Sequence, residues 1–261
     1  MFIAIDDAKI FATAFGPPHA PCILGIGGWI GNWELWADPF SILSATWRTV
    51  AYDHRGSGAT QCTLESITFE RLVDDVFAVL DAYQIERCVL AGESAGALTV
   101  LGAALKQPER IAGLVIVDGM IFNNPSDEDD AFLNGLIAHY AQTIDRFLEA
   151  CLPESDSDHL KRWGRHIFDR TTPEAAQALY RLTGSVDLRA DLPRLMQPTL
   201  ILHGSADALV PVEAAHWLAR TLPNTQLTIF EGAGHVPTVT RPRDIAQAIT
   251  TYFAGKIQSR K

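Results

Sequence analysis

Short apolar runs alternate with longer stretches of helical periodicity along most of the chain. Cys22–Ile26, Thr49–Tyr52, Cys88–Ala91, Gly113–Val117, Thr199–His203 and Gln226–Phe230 are short, apolar and often β-branched, and each ends at a turn former. Continuous apolar runs predict strands buried on both faces, as in a parallel sheet. Between them, Phe69–Tyr83 carries Leu72, Val73, Val76, Val79 and Leu80 at helical spacing. Ala95–Lys106, Val212–Leu222 and Asp244–Phe253 read the same way. Phe2–Ile5 and Ile10–Phe15 predict an antiparallel hairpin at the sheet edge, turning at Asp6-Asp7. The alternation as a whole predicts an α/β fold with a doubly wound, mostly parallel sheet of about eight strands.

The alternation stops after Val117. From about Phe122 to Asp191 no strong strand is visible. Ser126 reads as a helix N-cap, with the acids Asp127–Asp130 in the first turn, where the helix dipole favours them. Helices are predicted from about Asp129 to Cys151, Asp156 to Phe168 and Pro173 to Gly184. The chain thus divides into a core of residues 1–121 and 192–261 and an inserted helical cap of residues 122–191. A cap is preferred to a plain excursion because the candidate chemistry lies on the strand ends that flank it.

Composition narrows the function. Apolar residues make up 48% and charged residues 20% of 261, enough to bury a core and still shape a cavity. The formal net charge of −10 argues against a nucleic-acid partner, which needs a basic face. No apolar run is long enough to span a membrane, and the acids Asp6 and Asp7 near the start do not suit a signal peptide. Cys22, Cys62, Cys88 and Cys151 are scattered without a C-x-x-C pair, which predicts a reduced, cytoplasmic setting and no metal site. His139, His159, His166 and His216 fall on predicted helices without metal-ligand spacing, and His203 reads as a packed strand-end residue.

One segment carries chemistry on its own. Val89-Leu90-Ala91-Gly92-Glu93-Ser94-Ala95-Gly96-Ala97 is a strand, then G-x-S-x-G, then a helix. A sharp strand-to-helix turn strains residue 94 and holds its hydroxyl up at the carboxyl edge of the sheet. Gly92 and Gly96 carry no side chain to clash with the crossing. The helix starting at Ala95 aims N–H groups at the same place, which favours developing negative charge. The alternative is a turn whose serine merely caps the helix.

With these flanks, the chain resembles the α/β-hydrolase superfamily over nearly its whole length. Leu200-Ile201-Leu202-His203-Gly204-Ser205-Ala206-Asp207 resembles the family's strand ending in H-G-x-x-D. Gly232-Ala233-Gly234-His235 resembles its G-x-G-H loop, and Asp53-His54-Arg55-Gly56-Ser57-Gly58 its D-x-R-G-x-G turn. The family order of Ser, acid and His implies a triad of Ser94, Asp207 and His235. Asp118, at the end of Leu114–Val117, is the rival acid, otherwise expected to shape the entrance to the cap. In the turn around His54, Asp53 and Arg55 are expected to bond backbone groups.

The resemblance implies an oxyanion hole built from the N–H of Ala95 and that of Trp29 in the loop Gly27-Gly28-Trp29. Gly27 stands where the family usually has His, the residue that helps fix this loop. Gly28, Trp29 and Glu93 are the expected substrate contacts, and Trp36 reads as core. The implied reaction is hydrolysis of a small-molecule carboxylic ester or lactone, with no metal or organic cofactor. Serine at position 94 argues against the family's dehalogenases and epoxide hydrolases, which use an aspartate there. Thioesterase, C–C hydrolase and cofactor-free perhydrolase activity use the same triad, and a non-catalytic ligand receptor on the same fold is the alternative of another class.

Overall fold

The computed structural model describes residues 1–121 and 130–257. Its strands are β1 (Phe2–Ile5), β2 (Ala8–Phe15), β3 (Cys22–Ile26), β4 (Arg48–Tyr52), β5 (Gln61–Cys62), β6 (Cys88–Glu93), β7 (Ile111–Val117), β8 (Thr199–Gly204) and β9 (Thr225–Phe230). The helices of the first half are α1 (Ala37–Leu43), α2 (Phe69–Ala82) and α3 (Gly96–Lys106). Four helices lie between β7 and β8: α4 (Ala131–Ala138), α5 (Tyr140–Cys151), α6 (Asp158–Phe168) and α7 (Pro173–Ser185). The chain ends through α8 (Val212–Thr221), α9 (Pro237–Thr240) and α10 (Pro242–Phe253).

The strands form one nine-stranded sheet in the order β1-β2-β4-β3-β6-β7-β8-β9, with the short β5 paired to β2. Pairing is antiparallel at the β1–β2 and β2–β4 edge and parallel from β4 to β9. Period-2 alternation splits the strand side chains between two cores. Leu24, Ile26, Leu90 and Leu114 face α2, α3 and α8, whereas Ile23, Val89, Val115 and Leu200 face α1 and α10. Burial on both faces is why these runs lack polar alternation. The chain order reverses between β3 and β6, so the loops leaving them diverge and open a crevice at their carboxyl ends.

Several local expectations need correction. The predicted Asp129–Cys151 helix is two helices, broken at His139 (φ −144°, ψ 49°). The break folds α4 back on α5: a Cβ on Gly135 would lie 2.6 Å from Thr143 Oγ1, and Thr143 Oγ1 donates to His139 O. The proposed Ser126 cap lies outside the described residues, and Asp130 caps α4 through Phe132 and Leu133 N–H. The two-residue β5 and the helix α1 carried too few periodic positions to be predicted.

In the Asp53–Gly58 turn, Asp53 bonds backbone, accepting from Trp33 and Ala59 N–H. Arg55 does not. Its guanidinium is buried and forks onto Asp75 (2.8 and 3.0 Å), with Asp7 at 2.7 Å. A buried fork of this kind is costly to break from one side, because the remaining charge is stranded. Asp75→Ala is therefore expected to lower stability by about 3–5 kcal/mol, read by urea denaturation. A loss within experimental error would show that the Arg55 charge finds water or Asp7 alone.

Candidate active site

The turn after β6 sets the geometry. Ser94 has φ +52°, a left-handed conformation that a non-glycine residue adopts at a cost of about 1–3 kcal/mol. Ser94 N–H donates to Val117 O and its carbonyl accepts from Met120 N–H, which tie the strained residue to β7 and beyond. The glycines make the crossing possible. A Cβ on Gly92 would lie 2.6 Å from Gly96 O, and one on Gly96 would lie 2.5 Å from Gly27 O. The backbones of β6, α3 and the β3 loop therefore meet where no side chain fits.

The structure brings Ser94, His235 and Asp207 into one hydrogen-bonded chain. His235 Nε2 lies 2.8 Å from Ser94 Oγ, and its Nδ1 lies 2.7 Å from Asp207 Oδ2. Asp207 Oδ1 accepts from Leu209 and Val210 N–H. All three side chains are buried. Burial alone would make His235 less basic, but the hydrogen bond and charge of Asp207, with Glu93 behind, outweigh it and lift its pKa. Burial pushes Asp207 the other way, and the bond and charge of His235, with the two N–H donors, hold it below the usual carboxylate range. A base whose imidazolium has a fixed counter-charge is suited to taking a proton from the adjacent hydroxyl.

Two residues hold the His235 loop that no sequence signal marks. His235 N–H donates to Cys151 O at the end of α5, and Gly234 N–H donates to Glu154 Oε1. Neither position carries a recognisable motif.

The β3 loop stands over Ser94. Neither Ala95 N–H nor Trp29 N–H is taken up by a protein acceptor among the described residues. The Gly28 peptide is clamped at both ends: its N–H donates to Glu93 Oε2 at 2.9 Å, and its carbonyl accepts from Gly31 N–H and lies 3.0 Å from His54 Nε2. A trans peptide points its carbonyl and the next N–H in opposite directions. Holding the Gly28 carbonyl on His54 therefore aims Trp29 N–H the other way. His54, read as part of a structural turn, supplies the imidazole contact that Gly27 cannot.

The remaining sequence candidates are placed as follows. Glu93 lies beneath the loop, buried, with its carboxylate on Gly28 and away from the pocket; Gly28 packs its Cα against Ser94, too close for a Cβ (2.9 Å from Ser94 Cβ). Trp36 is core, with Nε1–H on Ile26 O. His203 is a buried strand-end residue with Nε2 on Val210 O. Asp118 does not shape an entrance. It is fully buried behind Asp207, where its Oδ1 accepts from Gly204 N–H.

Above Ser94 lies a cavity of about 250 Å³ lined by Trp29, Met120, Phe132, Phe147, Tyr180 and Leu209, with Ser94 and His235 on its floor. Phe132, Phe147, Phe168 and Tyr180 pack edge-on around Trp29, with centroids 5.2–6.4 Å away. The Trp29 indole N–H donates to Ala176 O in α7, which turns the ring into a fixed wall. The Tyr180 hydroxyl donates to Asp130. No Lys or Arg lines the cavity among the described residues, and residues 122–129 contain neither.

The comparisons agree with this architecture. A family model described as alpha/beta hydrolase fold matches residues 21–242. RutD of a Caulobacter species, assigned provisionally as a carbamate hydrolase, is 30% identical over 241 residues, covering 89% of each chain. A pimeloyl-[acyl-carrier protein] methyl ester esterase of Nitrosomonas europaea is 30% identical over 238 residues, 86% of this chain and 92% of its own. The solved enol-lactonase of Burkholderia xenovorans superposes with a TM-score of 0.89 at 20% identity, over 97% of this chain and 100% of its own, a likeness of fold.

Burial lifts the pKa of Glu93 from 4.5 to about 7, with His235 and the Gly28 N–H offsetting part of the effect. The unfolded chain ionises this group first, so stability falls as pH rises from 4.5 to about 7 and is flat above. The loss amounts to about 3 kcal/mol at most. Glu93→Gln is expected to remove this slope, compared by urea denaturation at about pH 5 and about pH 8. Parallel stability curves for the two proteins would mean that Glu93 is ionised throughout.

Proposed function

The chain belongs to the alpha/beta hydrolase fold family, and from that premise we propose that it is a serine hydrolase cleaving a small carboxylic ester or lactone through an acyl-enzyme. The observation that carries this reading is the continuous chain Ser94 Oγ, His235 Nε2, His235 Nδ1, Asp207 Oδ2 at 2.8 and 2.7 Å. His235 takes the Ser94 proton as Oγ attacks the carbonyl carbon. Ala95 and Trp29 N–H hold the oxygen as it becomes negative, a contribution of about 10²- to 10³-fold per donor. The imidazolium, steadied by Asp207, returns its proton to the leaving alcohol. A water activated by the same imidazole then releases the acid and restores Ser94.

The helices α4–α7 act as a cap in this reading. Their aromatic residues and the lack of a lining cation favour an uncharged, apolar acyl or alcohol group. A cavity of about 250 Å³ lies below the usual range for drug-sized ligands, which favours a compact substrate. The methyl ester esterase among the relatives supports ester chemistry, and the enol-lactonase fold supports including lactones in the test.

A fluorophosphonate probe is expected to label the wild type and to leave Ser94→Ala unlabelled. Equal labelling of both, or of neither, sinks the nucleophile assignment and favours a ligand receptor. Asp207→Asn is expected to cut kcat by about 10⁴-fold with the fold intact, measured on a panel of esters, lactones and thioesters with Ser94→Ala as the blank. Within that panel, neutral apolar esters should turn over faster than esters with a distal carboxylate. The reverse order would overturn the apolar-pocket assignment.

A further inference from the structure

Asp118 is unused by the mechanism, yet nothing about it is casual. It sits at φ +45°, is fully buried, and stands at the end of β7 directly behind Asp207. Its backbone N–H is fixed on Leu202 O and its Oδ1 accepts from Gly204 N–H at 2.8 Å. Its Oδ2 meets no N–H or hydroxyl donor, and no Lys or Arg pairs with it among the described residues. The carboxyl groups of Asp118 and Asp207 instead lie side by side, with oxygens within 4.8 Å of each other. Two carboxylates this close and this buried repel and can only accept, whereas a proton on one of them lets it donate to the other.

The surroundings decide which one. Asp207 has three donors, Leu209 N–H, Val210 N–H and the His235 imidazole, all of which favour its charge. Asp118 has one, the Gly204 N–H. Burial lowers the basicity of His203 and makes it a poor counter-charge. Its Nε2 is engaged with Val210 O, and its Nδ1 lies 3.4 Å from Asp118 Oδ1, so a neutral ring turns a lone pair toward that oxygen. With Oδ1 taken by Gly204, Oδ2 is left to hold the proton.

We propose that Asp118 is a neutral carboxylic acid that donates a hydrogen bond to Asp207, fixing its orientation and moderating its attraction for the His235 proton. Asp118 is thus a positioning residue that acts on His235 through Asp207. Burial, with the charges of Asp207 and Glu93, drives the Asp118 pKa upward, in the same direction as the geometry. The titratable groups facing the pair are Glu93 from β6, His203 from β8, His235 from the loop after β9 and Cys151 from α5. The Asp118, His203 and Asp207 ligand atoms approach within 4.8 Å, as cation ligands would. A cation there would compete with His235 for Asp207 Oδ2 and with Val210 for His203 Nε2. A proton fits without displacing either bond.

The role rests on the Ser94–His235–Asp207 reading, so the test follows the His235 imidazole itself, by NMR of histidine-labelled protein across pH. Asp118→Asn keeps a neutral donor toward Asp207 and should leave the His235 titration where it is. Asp118→Ala removes the donor, leaves Asp207 more basic, and should raise the His235 midpoint by about one pH unit. If Asp118 were ionised, both variants would remove a negative charge and lower the midpoint, which overturns the proposal. No movement in Asp118→Ala, or a shift of the wild type on dialysis against a chelator, overturns it as well. Should Asp118→Ala fail to fold, infrared spectroscopy decides: the carbonyl stretch of a protonated carboxyl must be present in the wild type and lost in Asp118→Asn. Fluorophosphonate labelling of the same proteins reports separately on Ser94.

Discussion

Three backbones meet above the centre of the sheet at distances that admit no side chain. Gly96 lies against Gly27, Gly28 against Ser94, and Gly92 against Gly96. The rest of the site follows from this contact. Because β3 and β6 are neighbours and the chain order reverses between them, their loops leave the sheet side by side and diverge. One carries Ser94 on a strained turn and the other carries the Gly28–Trp29 peptide. Among the described residues, the Ala95 and Trp29 N–H groups on these loops have no protein acceptor. Such donors are costly in an ordinary core, and they suit the oxyanion-holding role proposed for them.

Charge is the second organising theme. Glu93, Asp118 and Asp207 are buried around two imidazoles, of which burial leaves His203 the less basic and Asp207 makes His235 the more basic. Three ionised carboxylates could not be held there by one cation. The geometry sorts them by the donors each can reach. Asp207 has three and is favoured as the anion. Glu93 has the Gly28 N–H and titrates near neutrality. Similar side chains thus take different tasks because the backbone around each supplies a different number of N–H groups.

Much of this was legible in the sequence, for a physical reason. The strands β3, β6, β7 and β8 are buried on both faces, so their apolar runs stand out, and G-x-S-x-G, H-G-x-x-D and G-x-G-H follow strand ends at positions that local geometry dictates. Contacts made across long sequence separations were not legible. His54 reaches Gly28 from another loop, Glu93 turns away from the pocket, and Asp118 lies behind Asp207 and not at an entrance. Arg55 read as a turn residue bonding backbone, but its carboxylate partners Asp75 and Asp7 come from α2 and the edge hairpin. The break at His139 was hidden because apolar periodicity runs through it, and only the packing of Gly135 on Thr143 reveals it.

The bonds from Cys151 and Glu154 to the His235 loop give the helical segment a second character. Phe132, Phe147 and Tyr180 of the aromatic chamber and the anchors Cys151 and Glu154 belong to one continuous stretch, α4 to α7. Such a segment cannot be exchanged between relatives like a detachable lid. A graft that carried a new chamber would also reset the anchor of the histidine, so selectivity and turnover would change together. Evolution of new specificity on this scaffold is therefore channelled toward substitutions on the ring-bearing faces of α4, α5 and α7, which alter the chamber and leave the anchor in place.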